Sequence, residues 1–63
     1  MSICMTNGGM YSNVSSVNGR DVSEIKREVL TEILENDTFM YIVLNSGQTA
    51  ILRTSCISSI NYF

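Results

Sequence analysis

The sequence predicts a small α+β domain, one helix packed on an antiparallel sheet centred on a hairpin over residues 39–54. Two patterns predict it. Phe39 to Leu44 is an unbroken apolar run that meets a turn signal at Asn45-Ser46-Gly47. Upstream, Val22, Ile25, Val29, Leu30, Ile33 and Leu34 recur at helical spacing, with glutamates on the opposite side. A length of 63 residues bounds the rest: residues 1–63 read as one domain.

The hairpin is the clearer element. Phe39 to Leu44 has strand length and is rich in β-branched and aromatic residues. Asn45 and Ser46 suit the first turn positions, and Gly47 takes a left-handed backbone at no steric cost. This predicts a three-residue loop, a type I turn closed by a glycine bulge. Gln48 to Thr54 forms the return strand.

Side chains alternate across a strand. Met40, Ile42 and Leu44 share one face, and Phe39, Tyr41 and Val43 the other. The return strand places Ala50 and Leu52 on one side, Ile51 and Arg53 on the other. A half-exposed antiparallel hairpin carries one polar face. This one is apolar on both, so something must cover each side. The helix serves one side; the N-terminal segment or a second copy of the chain must serve the other. The predicted oligomer interface is Phe39, Tyr41, Val43 and Ile51, together with the terminal rings of Tyr62 and Phe63. The molecule is expected to be a dimer or higher homo-oligomer.

The helix is predicted over residues 22–35. Asp21 is a good N-cap, and Glu24 three residues on completes a capping-box pattern. Glu24, Glu28, Glu32 and Glu35 gather opposite the apolar stripe. Asn36-Asp37 ends the element. A competing pattern is a strand over Val29–Leu34 pairing with residues 39–44, which would make a small β-barrel of the SH3 or Sm type. The cap and the regular acidic stripe favour the helix.

The ends are less patterned. Residues 1–20 are diluted by Ser, Asn and Gly. Asn7-Gly8-Gly9 marks a turn between two short candidate strands, and residues 1–9 read equally as a disordered tail. Asn18-Gly19 marks the next break. Residues 55–63 read as a turn followed by a terminal strand.

Composition sets the function classes. A chain this short buries only about 60% of the surface it exposes when unfolded. Its core needs reinforcement, and oligomerisation is the route left open. The sequence has no His and no Cys-x-x-Cys, which argues against a metal site and against a Ser-His or Cys-His catalytic pair. Cys4 and Cys56 read as reduced thiols. No cofactor-binding fingerprint occurs. The expectation is therefore no enzyme, no catalytic residues, no cofactor and no metal. The net charge of −2 opposes general attraction to nucleic acid or anionic membrane. The first residues carry no basic segment followed by an apolar core, and no run is long enough to span a bilayer. A cytoplasmic setting is expected.

By elimination the sequence reads as a small interaction or regulatory module of inhibitor or adaptor type, in the manner of small acidic proteins encoded by phages and mobile elements. The partners expected are itself and a larger protein. Candidate partner-binding residues are Glu24, Glu28, Glu32, Glu35 and Arg53. One rival is nucleotide or nucleic-acid binding at a site shared between subunits around Arg53 and Tyr41, where a base could stack. Another is a purely structural assembly subunit.

Overall fold

The computed structural model describes residues 1–62, and Phe63 lies outside them. Among the described residues, seven strands form two antiparallel sheets, accompanied by one α-helix. The strands are β1 (Ser2–Met5), β2 (Met10–Tyr11), β3 (Val14–Val17), β4 (Arg20–Asp21), β5 (Phe39–Leu44), β6 (Thr49–Arg53) and β7 (Ile57–Asn61). The helix α1 spans Arg27–Asn36. One sheet runs in the order β2-β1-β7, the other β4-β3-β5-β6.

The chain passes between the sheets at two places. The first lies between β2 and β3, where Asn13 takes a left-handed backbone (φ 57°). Asparagine tolerates that region better than most residues. The bend redirects the strand: Tyr11 pairs with Ile3 in one sheet, and Val14 pairs with Leu44 in the other. The second crossing is a 3-10 turn at Thr54–Cys56, which carries the chain from β6 into β7.

The sheets share one core. Met1 and Ile3 enter it from the first sheet, and Val14, Val17, Met40, Ile42 and Leu52 from the second. Ile25 and Leu30 close it from the helical segment. The barrel alternative is not formed: Val29–Leu34 is helical, and the sheets do not close on one another. The helical period wins because it turns Leu30 into the core while Glu28 and Glu32 stay in water.

Two expectations need correction, and one pair of alternatives is decided. Of the two readings of residues 1–9, the short strands form and the tail does not: β1 pairs with β2 across the Asn7-Gly8-Gly9 turn. Ser2–Met5 is the middle strand of its sheet, and Ile3 is fully buried. Serine dilution hides this, because Ile3 and Met1 do the burying.

The helix is also shorter than predicted. Val22–Glu24 is a 3-10 turn, Ile25 and Lys26 are extended, and the α-helix begins at Arg27. Asp21 does cap, but its carboxylate accepts from the Ser23 N–H at 2.9 Å and the Ser23 hydroxyl at 2.7 Å. That tight turn uses up the cap before an α-helical register starts. The extended backbone at Ile25 then drops its side chain into the core. Glu24 therefore belongs to no capping box on α1.

Leu34, assigned to the buried stripe, is 37% exposed. It lies at the outer margin of the helix rather than beneath it.

The hairpin forms as read. Gly47 has φ 90°, its N–H bonds the Leu44 carbonyl at 2.9 Å, and the Leu44 N–H bonds Gln48 O at 2.8 Å. Phe39 lies opposite Arg53, Met40 opposite Leu52, and Tyr41 opposite Ile51. A second hairpin joins β3 to β4 through Asn18 (φ 51°) and Gly19 (φ 81°). Two successive left-handed residues make the primed turn that matches strand twist.

Candidate interaction surface

The β5–β6 hairpin divides its side chains between two environments. Met40 and Ile42 are fully buried and Leu52 nearly so. Across the sheet, Phe39 is 52% exposed, Tyr41 42% and Ile51 69%. Val43, on the same face, is half-buried. The N-terminal strands and the helical segment do cover the hairpin, but they cover the same side. That leaves the outer face of the hairpin open to solvent in the single chain.

Arg53 completes this face. It stands opposite Phe39, and its guanidinium carbon lies 5.5 Å from the centre of the Phe39 ring. That distance is within cation–π range. Tyr41 and Ile51 follow as the next outward pair along the strands. The structure thus brings Phe39, Tyr41, Ile51 and Arg53 together on one surface.

The same hairpin has an unpaired edge, because β6 is the last strand of its sheet. The hydrogen-bond phase shows which groups face outward. Leu44 N–H bonds Gln48 O, and Thr54 N–H bonds Thr38 O at 2.9 Å. Alternate residues of an antiparallel strand point toward the partner. Gln48, Ala50, Leu52 and Thr54 therefore face β5, and the peptide groups of Thr49, Ile51 and Arg53 face away from it. On the other side of β5 the pairing is complete at Tyr41. Its N–H donates to Asn18 Oδ1 at 2.9 Å, and its carbonyl accepts from the Asn18 N–H at 2.7 Å.

Tyr62 is placed elsewhere. Its hydroxyl donates to the Ile25 carbonyl at 3.3 Å, beside the helix. Desolvation there raises its pKa above the usual 10.0. It lines an open groove of about 400 Å³ with Arg27, Leu30, Leu34 and Ile60. Tyr62, 37% exposed, therefore lies apart from Phe39 and Tyr41, on a different part of the surface, and Phe63 lies outside the described residues.

The acidic candidates are also divided. Glu28, Glu32 and Glu35 lie on α1, while Glu24 sits on the preceding 3-10 turn. All four are exposed. Glu32 borders a second open groove, of about 360 Å³, with Arg20, Asn18, Asn36 and Asp37. Its mixed charges favour no one ligand class. Sequence reasoning missed Asn18 and Arg20 here. The signal was the Asn-Gly pair, which marks a primed hairpin turn and not only a break.

Among the described residues, no group of three His, Cys, Asp or Glu side chains is placed to hold a metal ion. Cys4 and Cys56 are free thiols, each partly buried. No helix among these residues is long and apolar enough to cross a membrane. No protein-family model matches the chain, and neither a curated protein nor a solved structure does.

Proposed function

We propose that this chain is a non-enzymatic interaction module that works as a homo-oligomer and engages a larger protein. The outer face and free edge of the β5–β6 hairpin are its contact surface. One observation carries the reading: three large apolar side chains, Phe39, Tyr41 and Ile51, stand exposed together on the best-formed element of the molecule. Single exposed apolar residues are ordinary, but a contiguous group on a rigid strand pair favours contact with another molecule. A regulatory role in the cytoplasm, by surface occlusion or assembly, follows from this reading. The glutamates of α1 form a secondary, charged contact zone.

A second reading has its own observation. Arg53 packed on Phe39, with Tyr41 alongside, is a cation and two rings on one face. Such a group can stack a base and meet a phosphate. The net charge of −2 and the single cation on that face weigh against it. A purely structural subunit is the third reading, in which self-association is the whole function.

The test is capture of protein partners on the immobilised chain, run in parallel with Phe39→Ser/Tyr41→Ser and with Glu28→Lys/Glu32→Lys. The proposal expects a partner that the face variant loses and the wild type holds. Loss only in the charge-reversed variant would move the site to α1. Salt-sensitive binding of single-stranded oligonucleotides, abolished by Arg53→Ala, would establish the second reading in its place.

A further inference from the structure

We infer that two copies of this chain join edge to edge through β6, antiparallel and with the two-fold axis at Ile51, so that their outer faces form one continuous platform. The inference rests on the homo-oligomer reading above and specifies its geometry.

The occupant of the edge follows from the strand itself. β6 is five residues long, Thr49–Arg53, and Ile51 is its midpoint. Its outward peptide groups belong to Thr49, Ile51 and Arg53, which are symmetric about that midpoint. A second β6 in antiparallel register therefore sets Ile51 opposite its own copy and Thr49 opposite Arg53 of the partner. The Ile51 pair exchanges two N–H···O bonds, and each Arg53 N–H meets the carbonyl of the partner's Thr49. The Arg53 carbonyl is already an acceptor at the start of the 3-10 turn that follows β6, so the central Ile51 pair carries the register. On the inner side, Ala50 falls opposite Leu52, a small residue facing a large one. On the outer side the two Ile51 side chains meet, which covers the most exposed apolar residue of the hairpin.

Charge permits this register. Proteins guard free edges with charged side chains and proline. β6 has one charge, Arg53, and its guanidinium is drawn back over Phe39 instead of lying across the edge. In the paired form the two arginines sit at opposite ends of the joined strands, each facing a threonine. The remaining edges suit a partner less well. β2 and β4 are two residues each, and β4 is the charged pair Arg20–Asp21. β7 is bordered by α1 across the groove lined by Leu30, Leu34, Ile60 and Tyr62.

The pairing leaves Phe39 and Tyr41 of both copies exposed on the same side of an extended sheet. The dimer then offers a larger protein twice the apolar surface of one chain, in a fixed spacing.

Proline at position 51 is the discriminating substitution. The Ile51 N–H points away from β5, so its removal spares every bond within the chain, and proline is tolerated at such edge positions. Sedimentation should show a dimer for the wild type and for Ile51→Val, and a dimer dissociation constant raised about tenfold or more in Ile51→Pro. Far-UV circular dichroism of each variant confirms that it is folded. A second variant does not depend on proline. The Cα atoms of a hydrogen-bonded antiparallel pair lie about 5.5 Å apart, within disulfide range. In a Cys4→Ser/Cys56→Ser background, Ile51→Cys should therefore oxidise to a covalent dimer, and Ala50→Cys should not.

A wild-type dimer that Ile51→Pro leaves unchanged, and in which the introduced thiols at position 51 do not bridge, overturns the edge geometry. If Phe39→Ser/Tyr41→Ser dissolves that dimer, the homo-oligomer reading survives with faces packed together. A wild-type monomer overturns both.

Discussion

Arg53 and Phe39 are cross-strand partners on the open face of the hairpin, with the guanidinium 5.5 Å from the ring centre. The contact ties the end of β6 to the start of β5. It also keeps the only charge of β6 off its free edge. A double-mutant cycle on Arg53→Ala and Phe39→Ala should return a coupling of about 0.5–1 kcal/mol, the range for exposed cation–π pairs. Coupling indistinguishable from zero in urea unfolding would mean that the arginine samples the edge freely.

The two faces of the hairpin should respond oppositely to substitution. Met40 is fully buried between the sheets, so Met40→Ala should cost about 2–5 kcal/mol. A chain of this length has a total stability of about 3–9 kcal/mol, so that variant should lose a large share of it. Ile51 is one strand over and 69% exposed. At concentrations where the chain is monomeric, Ile51→Thr should shift stability by no more than about 0.5 kcal/mol. Comparable losses at both positions would contradict the assignment of inner and outer faces.

The β3–β4 turn gives a test of backbone conformation separate from packing. A Cβ added at Gly19 meets nothing within 4 Å, yet the residue has φ 81°. Gly19→Ala should therefore cost about 1–2 kcal/mol through conformation alone. Asn18→Gly keeps the left-handed backbone but removes the carboxamide that accepts from the Tyr41 N–H. Its cost should be about 1 kcal/mol, while Asn18→Asp, which retains an acceptor, should cost less. Chemical denaturation of the three variants checks this order.

Asp21 links stability to pH. The Ser23 backbone N–H, and then the Ser23 hydroxyl, lower its pKa below the ordinary 3.8. A lowered folded value means that the native state holds its proton more weakly than the unfolded chain. The resulting stabilisation is present above pH 3.8 and is lost as pH falls through the lower folded value. Asp21→Asn keeps a side-chain acceptor but does not titrate. The stability difference between wild type and Asp21→Asn should therefore shrink as pH falls below about 4. A difference that stays constant through this range would show that the carboxylate charge adds nothing to the cap.

The legible parts of this sequence were those where periodicity and turn chemistry agree. Phe39 to Leu44 and Gly47 specify a strand and its loop almost without context, and the division of their side chains between two faces follows from alternation. Leu30 and Ile33 specify the helix for the same reason. What was illegible depends on partners distant in sequence. Ile3 reads as a stray apolar residue among serines and glycines until β7 pairs with it from the other end of the chain. The helix start at Arg27 was hidden because Asp21 and Glu24 match a capping pattern, and only the Ser23 hydroxyl decides that the turn closes early. The place of Tyr62 was illegible because its hydroxyl bonds the Ile25 carbonyl, a partner distant in sequence.

The candidate surface was legible as a problem of coverage before it was legible as a place. Two apolar faces on one hairpin imply a second covering layer, and the structure places the N-terminal strands and the helix together on the inner face. That leaves the outer face of Phe39, Tyr41 and Ile51 as the surface on which the proposed function depends. Sedimentation of the wild-type chain across the micromolar range tests this most directly. The account predicts a concentration-dependent rise from the mass of one chain to that of two or more. A single-chain mass at every concentration, with cooperative unfolding, would contradict it.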